Sequence, residues 1–140
     1  MPEGIIVMKY NDKSGIAIKA QYPEEKMKLQ ENALMHIFNI HEFSKESGIA
    51  SLTVDSLNIT TYYSGSDTDY FIIIKLDSLE DPDDYEENLN KVSQVILDNL
   101  ENNKYIEMLP SLFKEISELN PWLKGITIIF SRKDFNLFSE

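Results

Sequence analysis

The chain reads as an α+β domain: a five-stranded, mainly antiparallel sheet in the order 2-1-5-4-3, with one helix on one face and two on the other. Three observations predict it. Tyr70-Phe71-Ile72-Ile73-Ile74-Lys75-Leu76 is a nearly unbroken apolar run, too short for a membrane helix and rich in β-branched residues, as in a strand buried on both faces. Ile5-Ile6-Val7-Met8 has the same character. The remaining strand candidates alternate apolar and polar residues, so they belong nearer the edges, and the two apolar runs belong in the middle.

The first strand covers residues 4–10. Asn11-Asp12-Lys13-Ser14-Gly15 is a turn-forming pentad, so a hairpin follows. In the second strand, residues 16–22, Ile16, Ile18, Ala20 and Tyr22 share one face, and Ala17, Lys19 and Gln21 share the other. Pro23 then takes the first position of a helix, where proline is tolerated, and Glu24 and Glu25 suit the positive end of its dipole. This helix runs to about residue 43, with Met27, Leu34, Phe38 and His41 on one stripe that Ala33, Ile37 and Ile40 widen.

Ala50, Leu52 and Val54 alternate with Ser51, Thr53 and Asp55 in a third strand, and Asp55-Ser56 turns the chain. A fourth strand over residues 57–63 puts Leu57, Ile59, Thr61 and Tyr63 on one face. Ser64-Gly65-Ser66-Asp67 turns again, so strands three to five form a meander. If the most buried strands are central, the first lies beside the fifth, which gives 2-1-5-4-3.

Asp81-Pro82-Asp83-Asp84 opens a second helix, with Asp81 as its cap and Pro82 at its first position. Tyr85, Leu89, Val92, Ile96 and Leu100 recur at spacings of four, three, four and four, the cleanest amphipathic signal in the chain. The stripe spans too few heptads for a coiled coil. Asn102-Asn103 interrupts it, and a third helix carries Tyr105, Met108, Leu109, Leu112, Phe113, Ile116 and Leu119 before Asn120-Pro121. Pro110 fits if the regular helix begins near Met108 and kinks it otherwise. Ile126-Thr127-Ile128-Ile129-Phe130 has strand propensity and would cover an edge of its own sheet or pair with another molecule. Residues 1–120 are therefore read as one domain and 121–140 as an extension packed on it or on a partner.

A length of 140 residues suits one core. The net charge of -11 disfavours nucleic acid and anionic membranes, which need a basic surface. The absence of cysteine excludes disulfides, thiol catalysis and cysteine-ligated metal. The opening Met1-Pro2-Glu3-Gly4 is not that of a secretory signal, and no apolar run approaches the roughly 20 residues of a membrane span, so the expectation is a cytoplasmic protein with no integral membrane segment. Asn58-Ile59-Thr60 matches a glycosylation sequon, which in that compartment is read as chance.

Little in the chain points to catalysis. His36 and His41, five apart on a helix, sit about 140° apart and make a poor shared metal site. The acidic run from Asp77 to Asp84 lacks the glycine and distal glutamate of a calcium loop, and helix capping explains it better. Asp55 or Asp69 has no nucleophile elbow to serve, and neither a GxGxxG motif nor a P-loop is present. The expectation is a protein that is not an enzyme and that holds no cofactor or metal. Tyr62, Tyr63 and Trp122 are candidate interface anchors, weighed against simple packing.

The element order, strand-strand-helix-strand-strand-strand-helix-helix, resembles that of the longin domain, a fold related to roadblock and profilin. The opening Gly4-Ile5-Ile6-Val7-Met8-Lys9-Tyr10-Asn11-Asp12-Lys13-Ser14-Gly15, followed by Ala20-Gln21-Tyr22-Pro23-Glu24-Glu25, looks like a longin opening: strand, short D-x-x-G turn, second strand, then a tyrosine-proline step. The resemblance covers residues 4–120. It implies a non-enzymatic scaffold or adaptor in vesicle trafficking or GTPase regulation. Its implied partners are a small Ras-like GTPase, a longin or roadblock subunit, or a second copy in a homodimer. Such modules pair through an edge strand and the first helix, which here gives Ser51, Thr53, Asp55, Met35 and Tyr62 as the partner-binding set. No heptad SNARE motif follows the domain, so a fusion role is not expected. The competing reading is a PAS-like or profilin-like ligand-sensing or protein-binding module. A sensor would hold an apolar cavity lined by a few polar groups, whereas a longin domain would be solid between sheet and helices.

Overall fold

Gly4–Asn11 (β1) and Tyr70–Lys75 (β5) lie side by side at the middle of a five-stranded sheet, as their apolar sequences require. The structure is a computed structural model and describes residues 2–24, 31–41, 46–54 and 57–118. Gly15–Tyr22 (β2) flanks β1, Leu57–Tyr63 (β4) flanks β5, and Gly48–Val54 (β3) closes the other side, in the order β2-β1-β5-β4-β3. Each neighbouring pair is antiparallel. Gly15 turns the first hairpin at φ +80, a conformation glycine adopts without a steric penalty.

Helix Glu31–His41 (α1) covers one face of the sheet. Helices Glu86–Asp98 (α2) and Lys104–Ser117 (α3) cover the other. Side-chain alternation along β1 and β5 divides the core between the two layers. Ile5, Val7, Ile72 and Ile74 face α2 and α3. Ile6, Met8, Phe71 and Ile73 face α1. The isoleucines and Val7 are fully buried, and each contributes about 1.5–3 kcal/mol of hydrophobic stabilisation. Leu89, Val92 and Ile96 of α2, and Leu109, Leu112 and Ile116 of α3, complete the larger layer.

The capping signals act as the sequence predicts. The Asp81 carboxylate accepts a hydrogen bond from the Asp83 amide at 3.0 Å, and Pro82 stands at the first position of a short 3-10 turn, Pro82–Tyr85, that leads into α2. Asn102 and Asn103 break α2 from α3 by adopting left-handed backbone (φ 58 and 55), which asparagine tolerates better than most residues.

Three expectations need correction. β2 does not keep one apolar face. Val7 pairs with Ala20 but Met8 with Ile18, so a bulge admits Lys19 as an extra residue and reverses the alternation. Ile16 packs on the α1 side, whereas Ala20 and Tyr22 pack on the α2 and α3 side. Pro23 is not the first residue of a helix. It follows a cis Tyr22–Pro23 peptide in a bend, and the Gln21 side chain closes the turn by donating to the Glu24 carbonyl at 3.1 Å. On α1 the buried positions are Ala33, Ile37 and His41, with Leu34 and Phe38 at their flank and Ile40 turned outward. Of the two placements open to Pro110, the structure has it inside α3, which begins at Lys104. The turn expected at Asp55-Ser56, the ends of the first helix, Leu119, Trp122 and the strand expected over residues 126–130 fall outside the described residues.

Candidate interaction surface

The residues expected to meet a partner are separated by the fold. Ser51 Oγ donates to Glu86 Oε2 at 2.8 Å and ties β3 to the start of α2. Thr53 Oγ1 donates to Asn58 Oδ1 at 2.8 Å, so this hydroxyl too is engaged within the domain. Tyr62 is a core residue, only 5% exposed, because its position on β4 points into the layer under α2 and α3, where its hydroxyl accepts from Gln94 Nε2 at 3.1 Å. This burial removes Tyr62 from the contact set. Asp55 lies outside the described residues. Met35, 51% exposed on α1, is open to a partner.

Met35 has apolar company that the sequence reading did not assign to a surface. A groove of about 280 Å³ opens beside it, lined by Tyr10, Gly15, Ile16, Leu34, Met35 and Phe38. Its floor is continuous with the core, since the Phe38 ring lies 5.0 Å from Tyr10 and 6.2 Å from Phe71. Ile18 on β2 and Ile40 on α1 are also exposed large apolar residues. One signal for this surface was legible: α1 carries Leu34, Met35, Ile37, Phe38 and Ile40, more apolar residues than one buried stripe can use. Ile18 had no such signal, because its exposure follows from the edge position of β2.

At the far end of α1, His41 is buried against the Tyr63 and Phe71 rings. The Thr61 hydroxyl donates to the Ala50 carbonyl at 3.1 Å, so His41 Nε2–H must be the donor in its 2.6 Å contact with Thr61 Oγ1. Burial lowers the imidazole pKa to about 4 and keeps it neutral. His36 is exposed, so the two histidines do not share a site.

Several of the polar groups elsewhere are occupied with structure. Asn58, 2% exposed, donates to the carbonyls of Asp77 (2.8 Å) and Glu80 (2.7 Å), which spends the amide of the sequon inside the fold. Thr60 Oγ1 donates to the Pro82 carbonyl at 2.7 Å. In the acidic run Asp77 accepts from the Leu79 amide and Glu80 from the Tyr85 hydroxyl. Burial first, and then the carboxylate partner, raises the phenol pKa of Tyr85 toward Glu80 and of Tyr63 toward Asp69, so neither serves as a base near neutral pH. Among the described residues no group of three or more metal-binding side chains converges, and no helix is long and apolar enough to cross a membrane.

The arrangement thus offers an apolar surface along α1 and the β1–β2 hairpin, framed by an edge strand. Comparison with known proteins supplies no relative: no family model matches the chain, and no curated protein and no solved structure matches it. The longin resemblance rests on the element order and the opening residues alone.

Proposed function

We propose that this chain is a non-enzymatic interaction module of longin-like design, a scaffold or adaptor whose partner is a small Ras-like GTPase or a longin- or roadblock-type subunit. The observation that carries the reading is the exposed apolar surface around Met35, with the groove between α1 and the β1–β2 hairpin and Ile18 beyond it. Exposed apolar surface of this kind, beside an edge strand, favours protein contact over chemistry. The sheet order and the division of helices fit the same design. The ligand-sensing alternative calls for a cavity enclosed between sheet and helices, whereas the groove beside Met35 is an open one between α1 and the end of the β1–β2 hairpin.

The test is a titration with Ras-like GTPases loaded with GDP or a GTP analogue, alongside sedimentation of the chain alone. The reading expects nucleotide-dependent binding, or self-association, that Met35→Glu weakens at least about 10-fold by burying a charge in an apolar contact. A strict monomer that binds no GTPase in either state, or binding untouched by Met35→Glu, would sink it.

A further inference from the structure

α1 is lightly anchored. Among its described residues only Ala33, Ile37 and His41 are buried, with Leu34 and Phe38 at their flank. One of these three anchors titrates, so the seating of the helix depends on a side chain whose charge follows pH. The same helix builds one wall of the groove beside Met35, through Leu34, Met35 and Phe38. The other wall, Tyr10, Gly15 and Ile16, belongs to the β1–β2 hairpin. The groove is complete only while α1 is seated. A second groove, of about 460 Å³, lies on the opposite layer, where Gln21 and Tyr22 meet Ile106, Leu109 and Pro110, and is built without α1.

The surroundings of His41 suit a neutral ring. On its own helix Ile37 is apolar and His36 is exposed. From β4 it meets the Thr61 hydroxyl at 2.6 Å and the Tyr63 ring at 5.6 Å. From β5 it meets the Phe71 ring at 5.8 Å. β3 supplies the Ala50 carbonyl, which accepts the Thr61 proton. The acidic group of this cluster, Asp69, accepts from the Tyr63 hydroxyl at 2.6 Å and makes no bond to the imidazole. Because Nε2 donates to Thr61, a second proton goes to Nδ1, for which the described residues offer no acceptor. The charge formed there is largely stripped of water and has no counter-ion among these groups.

We propose that His41 is a proton-operated latch: the neutral imidazole seats α1 and completes the groove beside Met35, and its protonation unseats the helix and withdraws that wall, so that docking in the groove is coupled to pH. The coupling to a partner rests on reading the groove as the docking surface, whereas the latch itself does not.

Detached α1 takes up the proton at the ordinary value of 6.5 and seated α1 resists it to about 4, so acid favours detachment. Between pH 7.5 and 5.0 the ratio of detached to seated helix rises about 30-fold.

The test is hydrogen exchange by NMR on the isotope-labelled full chain at both pH values, corrected for the exchange of free peptide. Amides of α1 should be less protected than those of β1 and β5, which marks detachment short of unfolding, and should lose about 30-fold in protection at the lower pH. His41→Gln keeps a donor for Thr61 and does not titrate; His41→Phe keeps the ring. In either variant the 30-fold loss should disappear. An α1 as well protected as β5, or an equal loss in both variants, would overturn the latch. A Ras-like GTPase that docks in the groove should restore α1 protection at pH 5.0, because it binds only the seated helix. A GTPase that binds without restoring it sits elsewhere, as at the second groove, which upholds the latch and removes the docking reading. The exchange result decides the latch even where no GTPase binds.

Discussion

Acidification should release α1 from the sheet through His41. The imidazole is neutral in the fold, with its pKa lowered from 6.5 to about 4 by burial. The unfolded chain therefore takes up a proton as pH falls through 6.5, and the folded chain resists until about 4. Stability is complete above the upper value and is lost as pH falls toward the lower one. Each pH unit in that window removes up to about 1.4 kcal/mol, so the whole window removes about 3 kcal/mol at most. Local detachment of α1 limits the loss further, because Ala33, Ile37 and His41 are its buried residues. The control is His41→Phe, which keeps a ring between Tyr63 and Phe71, does not titrate, and leaves Thr61 its bond to the Ala50 carbonyl. Urea unfolding followed by circular dichroism at half-unit steps from pH 7.5 to 4.5 should give about 2–3 kcal/mol more loss in the natural chain than in the variant. Asp77, whose pKa is lowered chiefly by its bond to the Leu79 amide, loses its contribution only below its ordinary value of 3.8, outside this window. Parallel pH profiles for the two proteins between 6.5 and 4.5 would refute the reasoning.

Ile73→Ala should cost about 2–5 kcal/mol in urea unfolding, since its side chain is fully buried between β5 and α1 and leaves a cavity. Asn58→Leu should cost about 2–3 kcal/mol by the same measurement, because the Glu80 carbonyl loses the Asn58 donor and the Asp77 carbonyl keeps only its longer bond from the Glu80 amide. Asp81→Ala should cost about 1 kcal/mol through the lost bond to the Asp83 amide. Asn103→Val should destabilise by about 1–2 kcal/mol and Asn103→Gly should not, since its φ of 55 admits glycine freely and a β-branched residue only under strain.

Much of the architecture is written in the sequence. The apolar runs at Ile5 and Phe71 can be satisfied only at the centre of a sheet covered on both faces, and two hairpin-linked segments with those centres leave 2-1-5-4-3 as the order. Asp81-Pro82 and Asn102-Asn103 are local signals whose chemistry lies within a few residues, so they are legible without the fold. The candidate surface was legible only in part, through Met35 and the surplus of apolar residues on α1.

Tertiary structure decided the rest, because it depends on contacts between distant residues. The bulge at Lys19 carries no side-chain signature, yet it turns Ala20 and Tyr22 toward α2 and α3 while Ile16 stays on the α1 side. The fate of Tyr62 depended on which face of β4 lies beneath α2 and α3, a choice that alternation leaves open. The groove lined by Gln21 and Pro110 joins residues almost 90 positions apart, which only packing brings together. Local sequence sets backbone preference and apolar period, but which polar atoms end up without partners is settled only when the layers close on one another.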